Sequence, residues 1–303
     1  MTYPIRIVDV FTERPFAGNQ LAVVLGAEGI NGETMQSVAR EMNFSETTFV
    51  LPPSQLDHAA SVRIFTPAAE LPFAGHPTVG TAWVLWKEGL IAAGADRFTL
   101  EEGVGPVGVR IQRDGGREVV WMSHPTVTFD ETIDDRRLVA QALGLTEADL
   151  APEIPLQMVS TGNPFLFVAL RDPGAVDAAS SEASRLTRVF AGREPRAVFM
   201  FAVDGPGKLY SRMFAPHLLA IHEDAATGSA TGPLGAFAVK YGLVPRAATV
   251  SLVSEQGTKM RRQSFLHIEL AYGKDGDIPT RIEVGGSVVP VVSGELTLPK
   301  DGA

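Results

Sequence analysis

Three side chains, Glu46, His76 and Asp224, have residue types and sequence surroundings that suit acid–base chemistry. Glu46 follows an amphipathic segment and begins a β-rich run, where burial beside Phe44 and Phe49 would strengthen its carboxylate as a general base. His76 is suited to donating or accepting a proton, and Asp224 to orienting that imidazole or shuttling a proton. The alternatives are an exposed Glu at a strand start, a hydrogen-bonded His at a helix start and an Asp that caps a turn.

Two polar turns, residues 70–78 and 222–232, each open an apolar helical segment. A helix start presents backbone N–H groups without intrahelical acceptors, together with a partial positive charge. Such a start can hold a carboxylate or an enolate-like oxyanion. Gly75 in the first turn, and Gly228 and Ser229 in the second, are therefore candidate substrate-binding residues. Ordinary helix capping is the alternative for both turns.

Metal and thiol chemistry have less support in the sequence. The chain has no cysteine, which excludes disulfides, thiolate metal sites and cysteine nucleophiles. His217, His222, Glu223 and Asp224 lie close together, which leaves a metal-dependent hydrolase as an alternative. They lack the His-Glu-x-x-His spacing of a helical zinc site, and we therefore expect no metal and no cofactor.

Residues 103–108 match the pattern G-x-G-x-x-G, which in dinucleotide-binding folds follows a strand and opens a helix. Here the pattern contains Pro106 and leads into the strand-like run 107–112. We therefore reject a nucleotide site at this position.

The elements that position the candidate residues repeat along the chain. Three short segments recur in the same order, at offsets of 144, 149 and 153 residues: 17–19 with 161–163, 63–67 with 212–216, and 75–76 with 228–229. The nearly constant spacing predicts two halves of similar fold, residues 1–124 and 125–303, whose last strand could pack back on the first half. Because ligand sites favour domain interfaces, we expect the site between the halves.

Hydrophobic periodicity predicts short strands around one apolar helix in each half, which is an α+β fold rather than a doubly wound one. The expected helices follow Asn31, span 78–87 and 182–189, and follow Ser229. The expected strands are 5–10, 21–25, 47–51, 61–65, 98–100, 107–112, 118–123, 197–203, 209–214, 249–254 and 265–271.

The composition narrows the classes of molecule that the protein is expected to bind. The formal net charge is −9 and no long basic run is present, so nucleic-acid binding is not expected. The sequence lacks a signal-peptide pattern and any apolar run of membrane-spanning length. We therefore expect a cytoplasmic protein that acts on a small molecule.

The sequence resembles the PhzF-like phenazine-biosynthesis isomerase family, which has the diaminopimelate epimerase-like fold. The motifs that carry the resemblance extend over nearly the whole chain: 8–11, 16–19, 43–47, 63–67, 72–78, 162–164, 223–229 and 285–286. The resemblance implies two similar domains, each a mostly antiparallel, barrel-like sheet around a central helix. It also implies a cofactor-independent isomerase that moves a proton between carbons, with trans-2,3-dihydro-3-hydroxyanthranilate as the substrate of the characterised enzyme. The resemblance implies a homodimer as well.

The resemblance also implies roles for individual residues. Glu46 would take and return the proton, while His76, Asp224 and Ser229 would bind substrate and assist proton movement. Gly75 and Gly228 would supply backbone donors at the two helix starts. Asn19, from the motif 16–19, is added to the substrate-binding set.

The related racemases place a cysteine just before the glycine in each half. Those positions correspond here to Ala74 and Thr227, so proton transfer must fall to a carboxylate, and Glu46 is the residue expected to carry it. A small-carboxylate-binding protein of the same fold without catalysis stays open as an alternative.

Overall fold

The chain separates into two units, each built on a large sheet that packs around one buried helix. The computed structural model describes residues 1–216, 221–274 and 276–299. Unit 1 comprises residues 1–123 together with the C-terminal segment that begins at Gly285, and unit 2 comprises His124–Val284. The architecture is the α+β fold that the sequence predicts.

Elements are numbered in chain order through both units. Unit 1 contains β1 (Thr2–Val10), β2 (Asn19–Val24), α1 (Gly32–Met42), β3 (Glu46–Leu51), β4 (Ala60–Phe65), β5 (Glu70–Leu71), α2 (Gly75–Lys87), β6 (Arg97–Glu102), β7 (Gly105–Asp114), β8 (Arg117–Ser123) and β18 (Val288–Thr297).

The strands of unit 1 pair in the order β18-β1-β2-β3-β4-β6-β7-β8, with β5 added to β4. The β2–β3 and β4–β6 pairs are parallel, and the other pairs are antiparallel. Helix α2 contacts β1, β2, β3, β8 and β18, so it forms the centre of the unit. Helix α1 packs on the opposite face of the sheet, where its Met35 joins a cluster with Phe49 and Phe65.

Helix α2 is buried on all sides, from Gly75 to Leu85. A surface helix would show one polar face, and the lack of one here matches a helix enclosed by sheet. The sheet approaches so closely that a Cβ atom at Gly80 would lie 2.6 Å from Leu21 Cδ2 and 2.8 Å from Val10 Cγ2. Only glycine fits this position without displacing these side chains.

Unit 2 contains β9 (Thr128–Thr132), α3 (Arg136–Ala142), β10 (Gln157–Ser160), β11 (Pro164–Ala169), α4 (Pro173–Ala178), α5 (Ala183–Val189), β12 (Ala197–Val203), β13 (Lys208–Ala215), β14 (Ile221–Asp224), α6 (Gly228–Lys240), β15 (Thr249–Gln256) and β16 (Ser264–Ala271). Short 3-10 turns occur at Glu147–Asp149 and Thr258–Met260, and β17 (Arg281–Gly286) runs across the division between the units.

Unit 2 has the same strand order as unit 1. Its strands pair as β9-β10-β11-β12-β13-β15-β16, with β14 added to β13, and the β11–β12 and β13–β15 pairs are parallel. Helix α6 has 13 residues, as α2 does, and is buried from Gly228 to Val239. The internal repeat inferred from sequence is therefore a repeat of architecture, with α6 equivalent to α2.

Two local predictions were wrong. The run His222–Asp224, expected as part of a polar turn, belongs to β14, where Asp224 lies opposite Met213. The equivalent pair Glu70–Leu71 forms β5 against β4. Strands of two to four residues are too short to show alternation of polar and apolar side chains, so the sequence carried no signal for them.

The G-x-G-x-x-G run lies in the hairpin between β6 and β7, where Glu102 pairs with Gly105. A strand on each side of the run agrees with its rejection as a nucleotide-binding motif. Among the helices in the described ranges, none has both the length and the apolar character needed to cross a membrane.

Candidate active site

Glu46 is positioned by the end of α1 and the start of β3. Asn31 caps α1 by accepting a hydrogen bond from the Thr34 N–H, and Asn43 ends it in the left-handed conformation at φ 51°. Glu46 is then the first residue of β3 and lies opposite Leu21 in the parallel β2–β3 pair. Its side chain is 11% exposed, so the carboxyl is largely shielded from water.

The face on which Glu46 lies differs from the predicted one. Side chains two apart in a strand share a face, so Glu46 lies on the side of Thr48, whose hydroxyl is 2.8 Å from Thr81 Oγ1 of α2. Phe49 points to the opposite side and packs near α1. Glu46 therefore lies on the face of the sheet that packs against α2, and Phe49 lies on the other face.

His76 lies in the first turn of α2 and is 2% exposed. Its Nε2 atom is 3.5 Å from Glu46 Oε2, and its Nδ1 atom is 3.1 Å from Asn19 Nδ2. Asn19 begins β2 directly after Gly18, whose φ of 68° suits glycine. Three of the predicted residues, from three elements of unit 1, therefore meet at one place.

His76 is a neutral imidazole over the ordinary pH range. Burial lowers the pKa of His76 to about 3, although a backbone hydrogen bond with Gln20 acts in the opposite direction. With the Asn19 amide assigned as the donor, Nδ1 accepts and the ring proton lies on Nε2, the atom nearer to Glu46. A neutral imidazole beside the carboxylate does not neutralise its charge, which leaves Glu46 able to act as a base.

We expect the His76→Gln variant to lose less stability on acidification than the parent protein. The unfolded histidine has a pKa near 6.5 and the folded one near 3, so the unfolded state binds the extra proton between these values. The free energy of unfolding therefore falls as pH falls below about 6.5, by at most about 1.4 kcal/mol per pH unit for one histidine.

Denaturant unfolding of both proteins at neutral pH and near pH 5 measures this difference. Each variant is compared with the parent at the same pH because burial also lowers the pKa of His124 to about 3 and raises that of Glu102 to about 8, so both groups add to the pH dependence of stability. Equal losses in the two proteins would contradict the expectation.

The starts of α2 and α6 differ from those of the smaller helices. An Asn or Asp side chain caps α1, α3 and α4, whereas α2 follows Ala74 and α6 follows Thr227 without a side-chain cap. Helix α5 also lacks such a cap, but its N-cap Glu182 is exposed. The alternative of ordinary capping by a side chain therefore does not apply to α2 or α6. Their first-turn N–H groups are suited to binding an anion.

In unit 2, Asp224 belongs to a buried network at the start of α6. Its Oδ2 atom accepts a hydrogen bond from Thr227 Oγ1 at 2.7 Å, and its backbone carbonyl accepts one from Gln256 Nε2 at 2.9 Å. Gln256 Oε1 in turn accepts from the Thr227 N–H at 3.0 Å. These bonds fix Asp224 four residues before Gly228, the first residue of α6.

Sequence analysis missed Gln256 and Thr227 as parts of this network. Gln256 is the last residue of β15, whose even-numbered residues are buried. A glutamine at an inward position of an alternating strand was therefore a usable signal, because a buried amide requires hydrogen-bond partners. Thr227 carried no such signal because it lies in a turn.

The arrangement needed for a metal is absent from the described part of the chain, where no group of three or more His, Asp or Glu side chains could hold an ion. His217, one residue of the alternative metal cluster, lies outside the described residues. Arg212 binds Glu223, the next residue of that cluster, through two hydrogen bonds at 2.8 and 2.9 Å.

Comparison with known proteins gives full-length matches. The PhzC-PhzF family of phenazine biosynthesis-like proteins matches residues 8–294. A trans-2,3-dihydro-3-hydroxyanthranilate isomerase of Pseudomonas aeruginosa is 36% identical over 294 residues, which covers 96% of this chain and 98% of that protein. The crystal structure of a Bacillus anthracis phenazine biosynthesis protein of the PhzF family has a TM-score of 0.89 at 25% identity, covering 98% and 100% of the two chains.

A hydroxyproline epimerase from Agrobacterium vitis shares the fold, with a TM-score of 0.67 at 14% identity over 99% of this chain and 94% of that one. The epimerase-like fold and the isomerase class implied by the motifs are confirmed. The chain belongs to the PhzC-PhzF family of phenazine biosynthesis-like proteins and is an isomerase of the PhzF type.

Proposed function

We propose that this isomerase moves a carbon-bound proton on a small carboxylate substrate by acid–base catalysis, without a cofactor, and that Glu46 carries the proton. The observation that supports this most directly is the buried contact between Glu46 Oε2 and His76 Nε2 at 3.5 Å. A buried carboxylate beside a neutral imidazole has the composition of a general base with a polar neighbour.

In the proposed reaction, Glu46 removes a proton from carbon and returns it at another position of the same substrate. A positioned acid–base group contributes about 10²- to 10⁴-fold to the rate. His76 Nε2 lies 3.5 Å from Glu46 Oε2, and the Asn19 amide contacts the same ring at Nδ1. The C–H bond that breaks and the C–H bond that forms involve the same proton, so no oxidant or reductant is required.

The electron pair left by the proton must be stabilised while the intermediate exists. The first-turn N–H groups of Gly75 and His76 lack intrahelical acceptors and carry the positive end of the α2 dipole. Oriented donors of this type contribute about 10²- to 10³-fold each. We assign Asp224, Gly228 and Ser229 to substrate binding as well, since hydrogen bonds to Thr227 and Gln256 fix Asp224 near the start of α6.

Trans-2,3-dihydro-3-hydroxyanthranilate is the proposed substrate, because a relative 36% identical over 96% of this chain is named for its isomerisation. Other small amino or hydroxy carboxylates fit the same donors, since a helix start selects for negative charge rather than for ring structure. The proposed setting is a cytoplasmic homodimer.

Proton NMR in D₂O with this compound tests the function. The expected result is loss of the C3–H signal pattern and the appearance of new signals in the presence of the enzyme. An unchanged spectrum would exclude this compound as the substrate, and a screen of amino and hydroxy carboxylates for new C–H signals or solvent deuterium uptake would follow. Binding of such compounds without any change in their proton spectra would instead support a binding protein.

Treatment with a metal chelator is expected to leave the isomerisation rate unchanged. Loss of activity on chelation, restored by added zinc, would contradict the cofactor-independent mechanism and support the metal-dependent alternative.

A further inference from the structure

Glu102, which the proposed reaction does not use, is a buried carboxyl beside the start of α2. It is the last residue of β6 and is 7% exposed. Its Oε1 atom is 2.5 Å from Thr78 Oγ1, and its Oε2 atom is buried without a hydrogen-bond partner among the described residues. An ionised carboxylate left in this state would be strongly unfavourable.

The hydrogen atoms available at Thr78 indicate the protonation state of Glu102. The Thr78 hydroxyl is 2.6 Å from the Ala74 carbonyl and 2.5 Å from Glu102 Oε1, but it has one hydrogen to donate. A carbonyl can only accept, so the hydroxyl donates to Ala74. The hydrogen in the second contact must then come from Glu102, which is a carboxylic acid in this arrangement.

The equivalent part of unit 2 supports this assignment. Thr231, 153 residues after Thr78, donates its hydroxyl to the Thr227 carbonyl at 2.9 Å, as Thr78 does to Ala74. The last residue of the equivalent strand β15 is Gln256, a neutral donor that contacts Thr227 at the start of α6. Both repeats therefore place a side chain with a donor hydrogen at the end of this strand, against the start of the central helix.

The chain of hydrogen bonds ends at the peptide that carries the Gly75 N–H. In a trans peptide, the carbonyl of Ala74 and the N–H of Gly75 point in opposite directions. Holding the Ala74 carbonyl toward Thr78, inside the helix, directs the Gly75 N–H away from the helix body.

We propose that Glu102 is a positioning residue which, as a neutral acid, fixes the Ala74–Gly75 peptide through Thr78 and so aims the Gly75 N–H at the substrate anion. The last step rests on the proposed function, in which Gly75 is a substrate donor. The hydrogen-bond chain itself does not depend on the identity of the substrate.

The surroundings of Glu102 favour the neutral form at physiological pH. Burial raises the pKa of the Glu102 carboxyl to about 8, although a hydrogen bond from Thr78 to the ionised form would act in the opposite direction. His76, in the same turn of α2, is neutral in this range. The charged groups on the adjacent elements have other contacts: Arg63 with Glu70, Glu101 with His58, Lys87 with Glu118, Arg110 with Trp121 and Arg113 with Trp86, while Arg97 lies at the far end of β6.

Ionisation of Glu102 would disturb the site in two ways. The Thr78 hydroxyl would turn to the carboxylate and release the Ala74 carbonyl, because it cannot donate to both. The new negative charge would also lie at the helix start that attracts the substrate anion. Substrate affinity should therefore fall as pH rises through the pKa of Glu102.

The direct test is the amide resonance of Gly75, followed by NMR from neutral pH to about pH 10 in the parent protein and in Glu102→Gln. Glutamine keeps a donor for Thr78 and has no acidic proton. The resonance should titrate in the parent and stay constant in the variant. A resonance that does not move in the parent, or that titrates equally in Glu102→Gln, would overturn the proposal.

Kinetics with trans-2,3-dihydro-3-hydroxyanthranilate provide the second readout. In the parent, KM should rise at alkaline pH by up to about tenfold per pH unit, with a smaller change in kcat, and Glu102→Gln should lack this rise. Glu102→Ala should raise KM about three- to tenfold at neutral pH, and Glu102→Gln should largely restore it. The adjacent Glu101→Gln is the matched control, because Glu101 binds the Ser54 and Gln55 amides rather than α2.

An alkaline rise in KM that persists in Glu102→Gln would overturn the proposal. Absence of turnover with this compound in every protein would instead count against the proposed substrate, and the Gly75 resonance would then decide the role of Glu102 alone.

Discussion

Replacement of Glu46 by Gln should reduce kcat by about 10²- to 10⁴-fold, which is the usual contribution of a positioned acid–base group. Glutamine has nearly the same shape but cannot accept the substrate proton. Its amide also retains an oxygen that can face His76 Nε2, so the fold should be preserved. Because the substrate anion is held by backbone N–H groups rather than by Glu46, we expect KM to change much less than kcat.

Glu41→Gln is the matched control for this experiment. Glu41 is an exposed residue near the end of α1, five positions before Glu46. Turnover is followed by proton NMR in D₂O, and folding by circular dichroism. Near-parent turnover of Glu46→Gln, or an equal loss in Glu41→Gln, would show that Glu46 is not the base.

Replacement of Arg212 by Met should destabilise the protein by about 3–5 kcal/mol, the range found when one partner of a buried ion pair is removed. Arg212 is 7% exposed and binds both carboxylate oxygens of Glu223. Its Nη1 atom also donates to the carbonyls of Val176, at 3.0 Å, and Ala179, at 2.6 Å, at the end of α4. The substitution therefore leaves both a partly buried carboxylate and helix-end carbonyls without their donor.

Urea denaturation measures this loss, and Arg171→Met serves as the control. Arg171 pairs with Asp149 and Asp172, but its side chain is 51% exposed, so its loss should change stability by less than about 1 kcal/mol. The double variant Arg212→Met with Glu223→Leu should be less destabilised than Arg212→Met alone, because the uncompensated charge is removed. A loss for Arg212→Met no larger than that for Arg171→Met would contradict this account.

The internal repeat was the most informative feature of the sequence. Offsets near 150 residues correctly predicted two sheets around one helix each, because Gly75 and Gly228 begin equivalent buried helices. Apolar runs located several strands, such as 197–203, which the structure has as β12 with the same ends. These signals are local, and each reports whether one side of an element is buried.

The parts that sequence reasoning missed depend on contacts between distant segments. The environment of Glu46 was misplaced because the neighbouring apolar residue Phe49 faces the other side of the sheet. Glu102 and Gln256 went unnoticed because their importance comes from the helix start beside them, 24 and 29 residues away in the chain. Such pairings follow from topology, which single-sequence patterns do not specify.

The pairing of β1 with β18 has a consequence for synthesis on the ribosome. These strands join residues from Thr2↔Thr297 to Val10↔Val288, so the first and last parts of the chain complete the same sheet. Unit 2 is continuous in sequence and is fully translated before its neighbour is complete. Although Glu46 and His76 emerge early, the sheet around their helix lacks β18 until all of unit 2 has been translated, and a nascent chain must keep the unpaired side of β1 from pairing with other chains.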